Sequence, residues 1–338
     1  MISTARSSLR KILDRVKARR GRAILAAGDR LLILGYHRVL PVHEAKSKGV
    51  QPGMFVAPET LRMHLSVLRA YVDFIHLDDW VGAKERPANT LRTQCAITFD
   101  DGWRDNFDYA FPILKEFNCP ATIFVATGYI GTRRRFWPER ISELFSDIPR
   151  IQKNAADLSD LIKSLSGVNM REIDEGKFNV NDVIEWIKHK DDRTICASLD
   201  LIEKFLGDDN EIVNQRVEML DWDQIRLMTD SGLVRVGSHT VEHLRLSEQV
   251  SEERAVEELR RSRMVIREMT GQDPKLFCYP NGEYSRSVRT LVRQYYSAAC
   301  TTNFAWVYPD DDQYSLSRIC LSEGGSNLPY CFLARLAC

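Results

Sequence analysis

The chain lacks the long apolar segments that membrane-spanning and exported proteins carry. No apolar run approaches the roughly 18 residues that a transmembrane helix needs, and the basic N-terminus has no secretory-signal core. An excess of charge of either sign is also absent, because 47 Lys and Arg balance 47 Asp and Glu. This balance argues against a dedicated nucleic-acid-binding protein, which usually has a basic excess. We expect a cytoplasmic protein without a nucleic-acid partner.

The eight cysteines include no C-x-x-C pair and match no spacing of a structural zinc site. Most lie inside apolar strings, as Cys95 does before Ala96 and Ile97. A chain of 338 residues is long enough to bury a core without disulfides. We interpret the cysteines as small buried hydrophobic side chains in a reducing compartment.

Apolar strings of strand length are present, and they alternate with helical patterns. Such alternation predicts an α/β fold with parallel strands and right-handed crossovers, and eight strands indicate a closed or nearly closed barrel. The strand candidates are Leu31–Tyr36, Val72–Leu77, Cys95–Phe99, Ala121–Ala126, Leu233–Val236, Leu276–Tyr279, Ala298–Thr301 and Leu316–Leu321. The helix candidates lie near 58–71, 106–117, 222–231, 251–270 and 284–295.

Two segments depart from this alternation. Residues 1–30 carry nine Lys and Arg, and residues 8–28 have the apolar spacing of a helix. This basic N-terminal helix is either a solvated arm or an interfacial helix whose residues 5–28 contact anionic lipid on the cytoplasmic face of a membrane. Residues 133–218 show helical patterns without a convincing strand, which predicts a helical insertion in a barrel domain of residues 31–338. The insertion follows a strand, where barrels carry substrate-covering loops.

Three polar groups follow three separate strand candidates. The turn Asp100-Asp101-Gly102 places two carboxylates at a strand end, where they suit a cation or a shared proton. His239 and His243 are four residues apart, which places both imidazoles on one face of a helix or helical turn. Each group alone also fits a solvated turn or unrelated loop histidines. Together, one Asp and two His form a three-ligand facial set with open positions for water and substrate, which predicts a metal hydrolase.

The motifs of this chain resemble those of the polysaccharide deacetylases, carbohydrate esterase family 4, with the nodulation-type chitooligosaccharide deacetylase domain. The stretch Thr98-Phe99-Asp100-Asp101-Gly102 matches the first family motif, and His239-Thr240-x-x-His243 matches the second. A common variant of the third motif is matched by Tyr279-Pro280-x-Gly282, and Leu34–Val39 resembles an opening strand of many members. The resemblance covers about residues 31–325 apart from the insertion. It implies a distorted (β/α) barrel of about seven strands.

The resemblance also implies roles for individual residues. Asp100 would be the general base, and Asp101, His239 and His243 would hold a divalent metal, usually zinc. The implied reaction removes an N-acetyl group from an amino sugar of a polysaccharide or glycan precursor and releases acetate. Two alternatives stay open, an amidase with a non-sugar substrate and a catalytically silent glycan-binding barrel. Metal content and acetate release would separate them.

The sequence departs from the family pattern in two places. Many members hold the catalytic aspartate with an arginine of the third motif, where this chain has Cys278, and Arg318 is the candidate to replace it. The late Leu-x-His motif that supplies the general acid is absent, since no histidine follows His243. His37, at the end of the first strand, is the candidate acid. The residues expected to bind substrate are Tyr279, Pro280, Asn281, Gly282, Trp103 and Arg318.

Overall fold

The computed structural model describes residues 2–28, 30–83, 92–207 and 217–337, with side chains from residue 13 onward. The chain divides into two compact units. The first contains residues Met1–Ala45, Pro52–Thr132 and Glu218–Cys338, and the second contains Lys46–Gln51 and Arg133–Val217. All the predicted site residues belong to the first unit.

The first unit is built on a parallel sheet that curls into a barrel. Its strands are β1 (Leu31–Tyr36), β4 (Val72–Phe74), β5 (Thr93–Phe99), β6 (Ala121–Val125), β7 (Val234–Ser238), β8 (Leu276–Cys278), β9 (Ala298–Cys300) and β10 (Ile319–Cys320), while β2 (Arg38–Val39) and β3 (Phe55–Val56) form a separate pair. The strands lie in the order β10-β1-β5-β6-β7-β8-β9, with β4 paired to β5, and a further parallel bridge joins Cys300 of β9 to Leu316, just before β10. This arrangement confirms the predicted distorted barrel of about seven strands.

Helices connect the strands, and local sequence decides where several of them begin. Asp221 and Gln224 form a reciprocal capping box, and the Ser251 side chain accepts from the backbone N–H of Arg254. The helices of the first unit are α1 (Ile2–Leu25), α3 (Pro58–Leu68), α4 (Leu77–Gly82), α5 (Phe111–Phe117), α12 (Trp222–Asp230), α13 (Glu252–Thr270), α14 (Arg286–Tyr295), α15 (Glu323–Ser326) and α16 (Pro329–Arg335), and α2 (Val42–Ser47) crosses the boundary between the units. Among the described residues, no helix is both long and apolar enough to cross a membrane.

Apolar side chains fill the inside of the barrel. Ile33, Ala96, Phe124 and Leu276 belong to one buried cluster, because the inward residues of a strand recur at every second position. The cluster also packs tightly against the backbone of β7 at Gly237. A Cβ on Gly237 would collide with the ring of Phe124, so only glycine fits there.

The second unit is described at residues 46–51, 133–207 and 217, and its residues 133–207 contain six helices and no strand. Its own core consists mainly of buried Ile and Leu side chains, including Ile151, Ile162 and Leu199. The helices are α6 (Trp137–Leu144), α7 (Ile148–Lys153), α8 (Ala155–Ser166), α9 (Met170–Asp174), α10 (Val180–Ile187) and α11 (Asp192–Leu206). That this segment covers the catalytic end of the barrel stays a prediction.

Each predicted strand overlaps an observed one, and the differences concern short elements. The helix expected over 106–117 begins as a π-helical turn, Asn106–Ala110, and the N-terminal helix covers Ile2–Leu25 rather than 8–28. Elements of two to seven residues, such as β2, β3, α4 and α16, are too short to show a periodic pattern. The seven described cysteines are all free, four of them buried and three partly buried.

Candidate active site

The two aspartates lie in a turn directly after β5. The backbone N–H of Asp100 still donates to the Tyr36 carbonyl at 2.9 Å, and the chain then turns through Asp101 at φ 76° and Gly102 at φ 89°. The left-handed φ of Gly102 strains any residue with a side chain, and a Cβ there would also lie 2.7 Å from Cδ1 of Ile130, so the tight turn favours glycine. This turn explains how adjacent residues both point into the site, although neighbours on a strand face opposite sides.

One oxygen of Asp101 lies between the two histidines. Its Oδ1 is 3.5 Å from Nε2 of His239 and 3.4 Å from Nε2 of His243, and the two rings pack edge to face at 4.8 Å. The other oxygen, Oδ2, accepts the indole N–H of Trp103 at 2.8 Å. Oδ1 is buried and has no hydrogen-bond donor. Such an orphaned oxygen beside two imidazole nitrogens fits a divalent cation.

A strand carbonyl fixes the tautomer of His239. Its Nδ1 lies 2.7 Å from the Cys278 carbonyl oxygen, which only accepts, so Nδ1 carries the proton. The lone pair of Nε2 therefore faces Asp101, as metal ligation requires. Burial raises the pKa of Asp101, but the neighbouring imidazoles of His239 and His243 outweigh burial and hold that pKa well below its usual range. The carboxylate is therefore ionised at neutral pH.

The loop that carries the two histidines differs from the helical turn expected from their spacing. Residues 239–243 are not helical, and Thr240 and His243 have left-handed φ angles of 65° and 53°. The spacing of four residues brings the rings together because the loop folds back after β7. A four-residue spacing is thus compatible with a common ligand set in more than one backbone conformation.

Arg318 holds Asp100 by two parallel hydrogen bonds. Nη1 donates to Oδ1 and Nη2 to Oδ2, both at 2.7 Å, and Nη2 lies 3.1 Å from Sγ of Cys278. The small thiol of Cys278 therefore leaves room for a guanidinium that arrives from another part of the chain. Burial raises the pKa of Asp100, but Arg318 outweighs it and leaves that pKa below its usual value. A Cβ on Gly35 would lie 2.8 Å from Sγ of Cys320, so this side of the pair is also closely packed.

His37 lies beside the same aspartate. Its Nε2 is 3.9 Å from Oδ2 of Asp100, beyond hydrogen-bond length, and its side chain is 23% exposed. The Asn106 amide donates to the His37 carbonyl at 2.9 Å and fixes the backbone there. The structure therefore brings His37 to Asp100, while its role as an acid stays a prediction.

Four of the six residues expected to bind substrate are buried. Arg318 is fully buried on Asp100, and Trp103, 1% exposed, donates to Asp101. Tyr279 is also fully buried, with its hydroxyl donating to the Tyr314 carbonyl at 3.1 Å, and Pro280 is buried next to it. Asp100, Asp101 and His239 are comparably buried, so burial alone does not decide the role of these four residues, and substrate binding by them stays a prediction. Asn281 is exposed and Gly282 partly exposed, and substrate binding by this pair stays a prediction.

A charged group that no sequence motif predicts lies behind Trp103. The Arg38 guanidinium carbon lies 4.2 Å above the Trp103 ring, and Nε of Arg38 donates to Asp105 at 2.8 Å. Glu218 accepts from Nη2 of Arg38 at 2.7 Å. Burial raises the pKa of Asp105, and Arg38 only partly opposes this rise. The group supports the indole that donates to Asp101. The one signal in the sequence is that Arg38 closely follows β1 and Asp105 closely follows β5.

Comparisons with known proteins agree with this architecture. Residues 88–298, more than half of the chain, match the family model described as polysaccharide deacetylase. A stretch of 110 residues is 31% identical to poly-beta-1,6-N-acetyl-D-glucosamine N-deacetylase of Staphylococcus epidermidis, covering 30% of this chain and 37% of that protein. The matched stretch thus spans less than two fifths of the length of the curated relatives.

Two solved structures are similar over most of the chain. The deacetylase PplD of Streptococcus pyogenes, in complex with acetate, is 19% identical with a TM-score of 0.57, covering 91% of this chain and 98% of that one. IcaB from Ammonifex degensii is 20% identical with a TM-score of 0.56 and the same two coverages. At this level of identity the likeness supports the fold.

Proposed function

This chain belongs to the polysaccharide deacetylase family, and from this premise we propose that it is a metal-dependent N-deacetylase of an acetylated amino sugar in a polysaccharide or glycan precursor. One observation carries the proposal. The imidazoles of His239 and His243 converge on Oδ1 of Asp101, a buried oxygen that accepts no hydrogen bond. Asp100 directly precedes this ligand set in the chain. A glycan-binding barrel without catalysis would need neither this ligand set nor a second carboxylate fixed by a buried arginine.

Asp101, His239 and His243 would hold the metal, which we propose to be zinc. Two imidazoles and one carboxylate are the donors of many catalytic zinc sites, where a further position stays open. When bound, the metal supplies Lewis-acid chemistry, which polarises the acetamide carbonyl and makes water more acidic. The ligand atoms of the three residues lie within 4.8 Å of one another.

Asp100 and His37 would move the protons of the reaction. Asp100 is ionised and held in place by Arg318, so it accepts the proton of the attacking water without changing its position. The departing amine needs a proton, because an amide anion is a very poor leaving group. His37 is close to Asp100, and an imidazole carries a proton near neutral pH, so we assign it this role.

The substrate class is tested by following acetyl groups. Metal-stripped protein reloaded with Zn²⁺ is incubated with chitooligosaccharides and with poly-β-1,6-N-acetylglucosamine, the glycan in the name of one relative. Mass spectrometry should show loss of acetyl groups, while chelated protein and the Asp100→Asn variant should show none. Absence of acetate from every acetylated glycan would contradict the proposal. Release from a non-sugar acetamide alone would favour the amidase alternative.

We also propose that α1 contacts an anionic membrane surface. One face of α1 packs on α16, where a Cβ on Gly21 would collide with the Leu333 carbonyl oxygen. The remaining surface exposes Leu13 and Val16, at 52% and 60%, together with basic side chains. Cations beside exposed apolar residues suit the interface of an anionic bilayer. The basic residues are Arg15, Lys17, Arg19, Arg20 and Arg22. The cytoplasmic location expected from the sequence stays a prediction.

A further inference from the structure

The loop between the two histidines needs support from outside itself. Thr240 and His243 both have left-handed backbone angles, which residues other than glycine adopt at a cost. The carbonyl side of the loop is held by the chain after β6, since the Thr127 N–H donates to Thr240 at 3.1 Å and the Gly128 N–H donates to Val241 at 2.8 Å. The amide side of the loop faces helix α13.

A buried carboxylate on α13 binds that amide side. Oε2 of Glu258 accepts the backbone N–H of Val241 at 2.7 Å and that of Glu242 at 3.0 Å. Oε1 pairs with Arg254, one helical turn earlier, at 2.7 Å. Glu258 is 1% exposed, so its three donors replace the water that a carboxylate would otherwise require. Its bonds reach the middle of the loop, between His239 and His243.

We propose that Glu258 is a positioning residue for the metal site and sets the place of His243 relative to His239. The inference rests on the proposed function only in taking these histidines as metal ligands. Without Glu258, the buried N–H of Val241 and the partly buried N–H of Glu242 lose this acceptor, and the left-handed loop loses its bonds to α13. The ligand nitrogens would then occupy the convergent arrangement for a smaller fraction of the time, and metal affinity would fall by that fraction.

The experiment measures zinc affinity directly, independent of any sugar. Metal-free wild-type, Glu258→Ala and Glu258→Gln proteins compete for Zn²⁺ with a chromogenic chelator, and thermal unfolding of each metal-free protein is recorded. We expect Glu258→Ala to raise the zinc Kd about 10–100-fold, as loss of a group behind metal ligands does. Glu258→Gln keeps one acceptor oxygen without the charge, so its Kd should lie between those of wild type and Glu258→Ala.

Ile266→Val is the matched control, because Ile266 is buried on the same helix and makes none of the bonds to the loop. It should lower the unfolding temperature and leave the zinc Kd unchanged. A wild-type Kd in folded Glu258→Ala would overturn the proposal, as would an equal loss of affinity in Ile266→Val. If Glu258→Ala does not fold, a wild-type Kd in Glu258→Gln overturns it instead. Failure of the wild type to release acetate would contradict the proposed function and leave this result intact.

Discussion

Arg318 and Asp100 are 218 residues apart in the chain and form a fully buried ion pair with two parallel bonds of 2.7 Å. Arg318 also donates to Thr98 at 3.0 Å and to the Thr301 carbonyl at 2.9 Å. Every nitrogen of the guanidinium therefore donates at least one hydrogen bond. The pair fixes the carboxylate and keeps it ionised, which is what a general base at this position needs.

Replacing Arg318 with methionine should impair both turnover and stability. Asp100 would become a buried carboxylate without its partner, and breaking such a pair costs about 3–5 kcal/mol. Loss of a positioned base lowers turnover about 10²-fold or more. Acetate release and urea unfolding measure the two effects, and zinc content should stay normal. The double variant Arg318→Met, Asp100→Asn should recover part of the stability, and an additive loss in the double variant would contradict the pairing.

Zinc binding should require His239. His239→Ala removes one of three protein ligands, and we expect zinc content to fall from about one ion per chain to near zero after dialysis. Elemental analysis of the purified protein is the measurement. His189→Ala removes an exposed imidazole from the second unit and serves as the control. Wild-type zinc content in His239→Ala would refute the ligand assignment.

His37→Gln tests whether His37 supplies the proton that the departing amine needs. Glutamine keeps a polar side chain but cannot act as a general acid, so turnover should fall about 10²-fold with zinc content unchanged. Steady-state acetate release gives the rate, and His43→Gln, an exposed histidine, is the matched control. Undiminished turnover in His37→Gln would leave the proton to Asp100 or to water.

His64 should make stability depend on pH. Burial lowers the pKa of His64 to about 4, and the neutral ring accepts from Tyr36 at 3.1 Å and donates to the Ser326 carbonyl at 2.8 Å. Between about pH 6.5 and pH 4 the unfolded chain binds a proton there that the folded chain does not. The free energy of unfolding should therefore fall with falling pH, by at most about 1.4 kcal/mol per unit from this group. Urea unfolding at pH 7 and pH 5 should show a smaller difference for His64→Gln, and an equal difference would exclude His64 as the cause.

The basic surface of α1 should bind anionic vesicles. The protein should sediment with phosphatidylglycerol vesicles and stay in solution with phosphatidylcholine vesicles, and added salt should weaken the binding. Changing Arg19 and Arg20 to Glu should abolish sedimentation and leave acetate release from a soluble substrate unchanged. Equal binding to both kinds of vesicle, or none to either, would contradict the proposal.

The sequence identified the parts of the site that are local in the chain. Asp100, Asp101, His239 and His243 were found because each pair lies in a short motif directly after an apolar strand. The strand positions were also predictable, since strands buried on both faces appear as continuous apolar strings.

What the sequence did not reveal depends on distant contacts. The two backbone hydrogen bonds that Glu258 accepts join a helix to a loop 16 and 17 residues earlier in the chain. No periodic pattern in the sequence indicates such a bond. The orientations of Tyr279 and Trp103 depend on contacts with Tyr314, Asp101 and Arg38, which the local sequence does not reveal. The left-handed residues at Thr240 and His243 likewise follow from tertiary hydrogen bonds rather than from residue type.

The late position of Arg318 along the chain has a consequence for how the protein folds. A nascent chain that has not yet reached residue 318 already contains both aspartates and both histidines, but burying Asp100 in it would leave a carboxylate without a counter-ion. Early closure of the barrel is therefore disfavoured, and the last strand must dock before the base is in place. Contacts across so long a loop form slowly. We expect refolding to gain helical signal first and zinc affinity last.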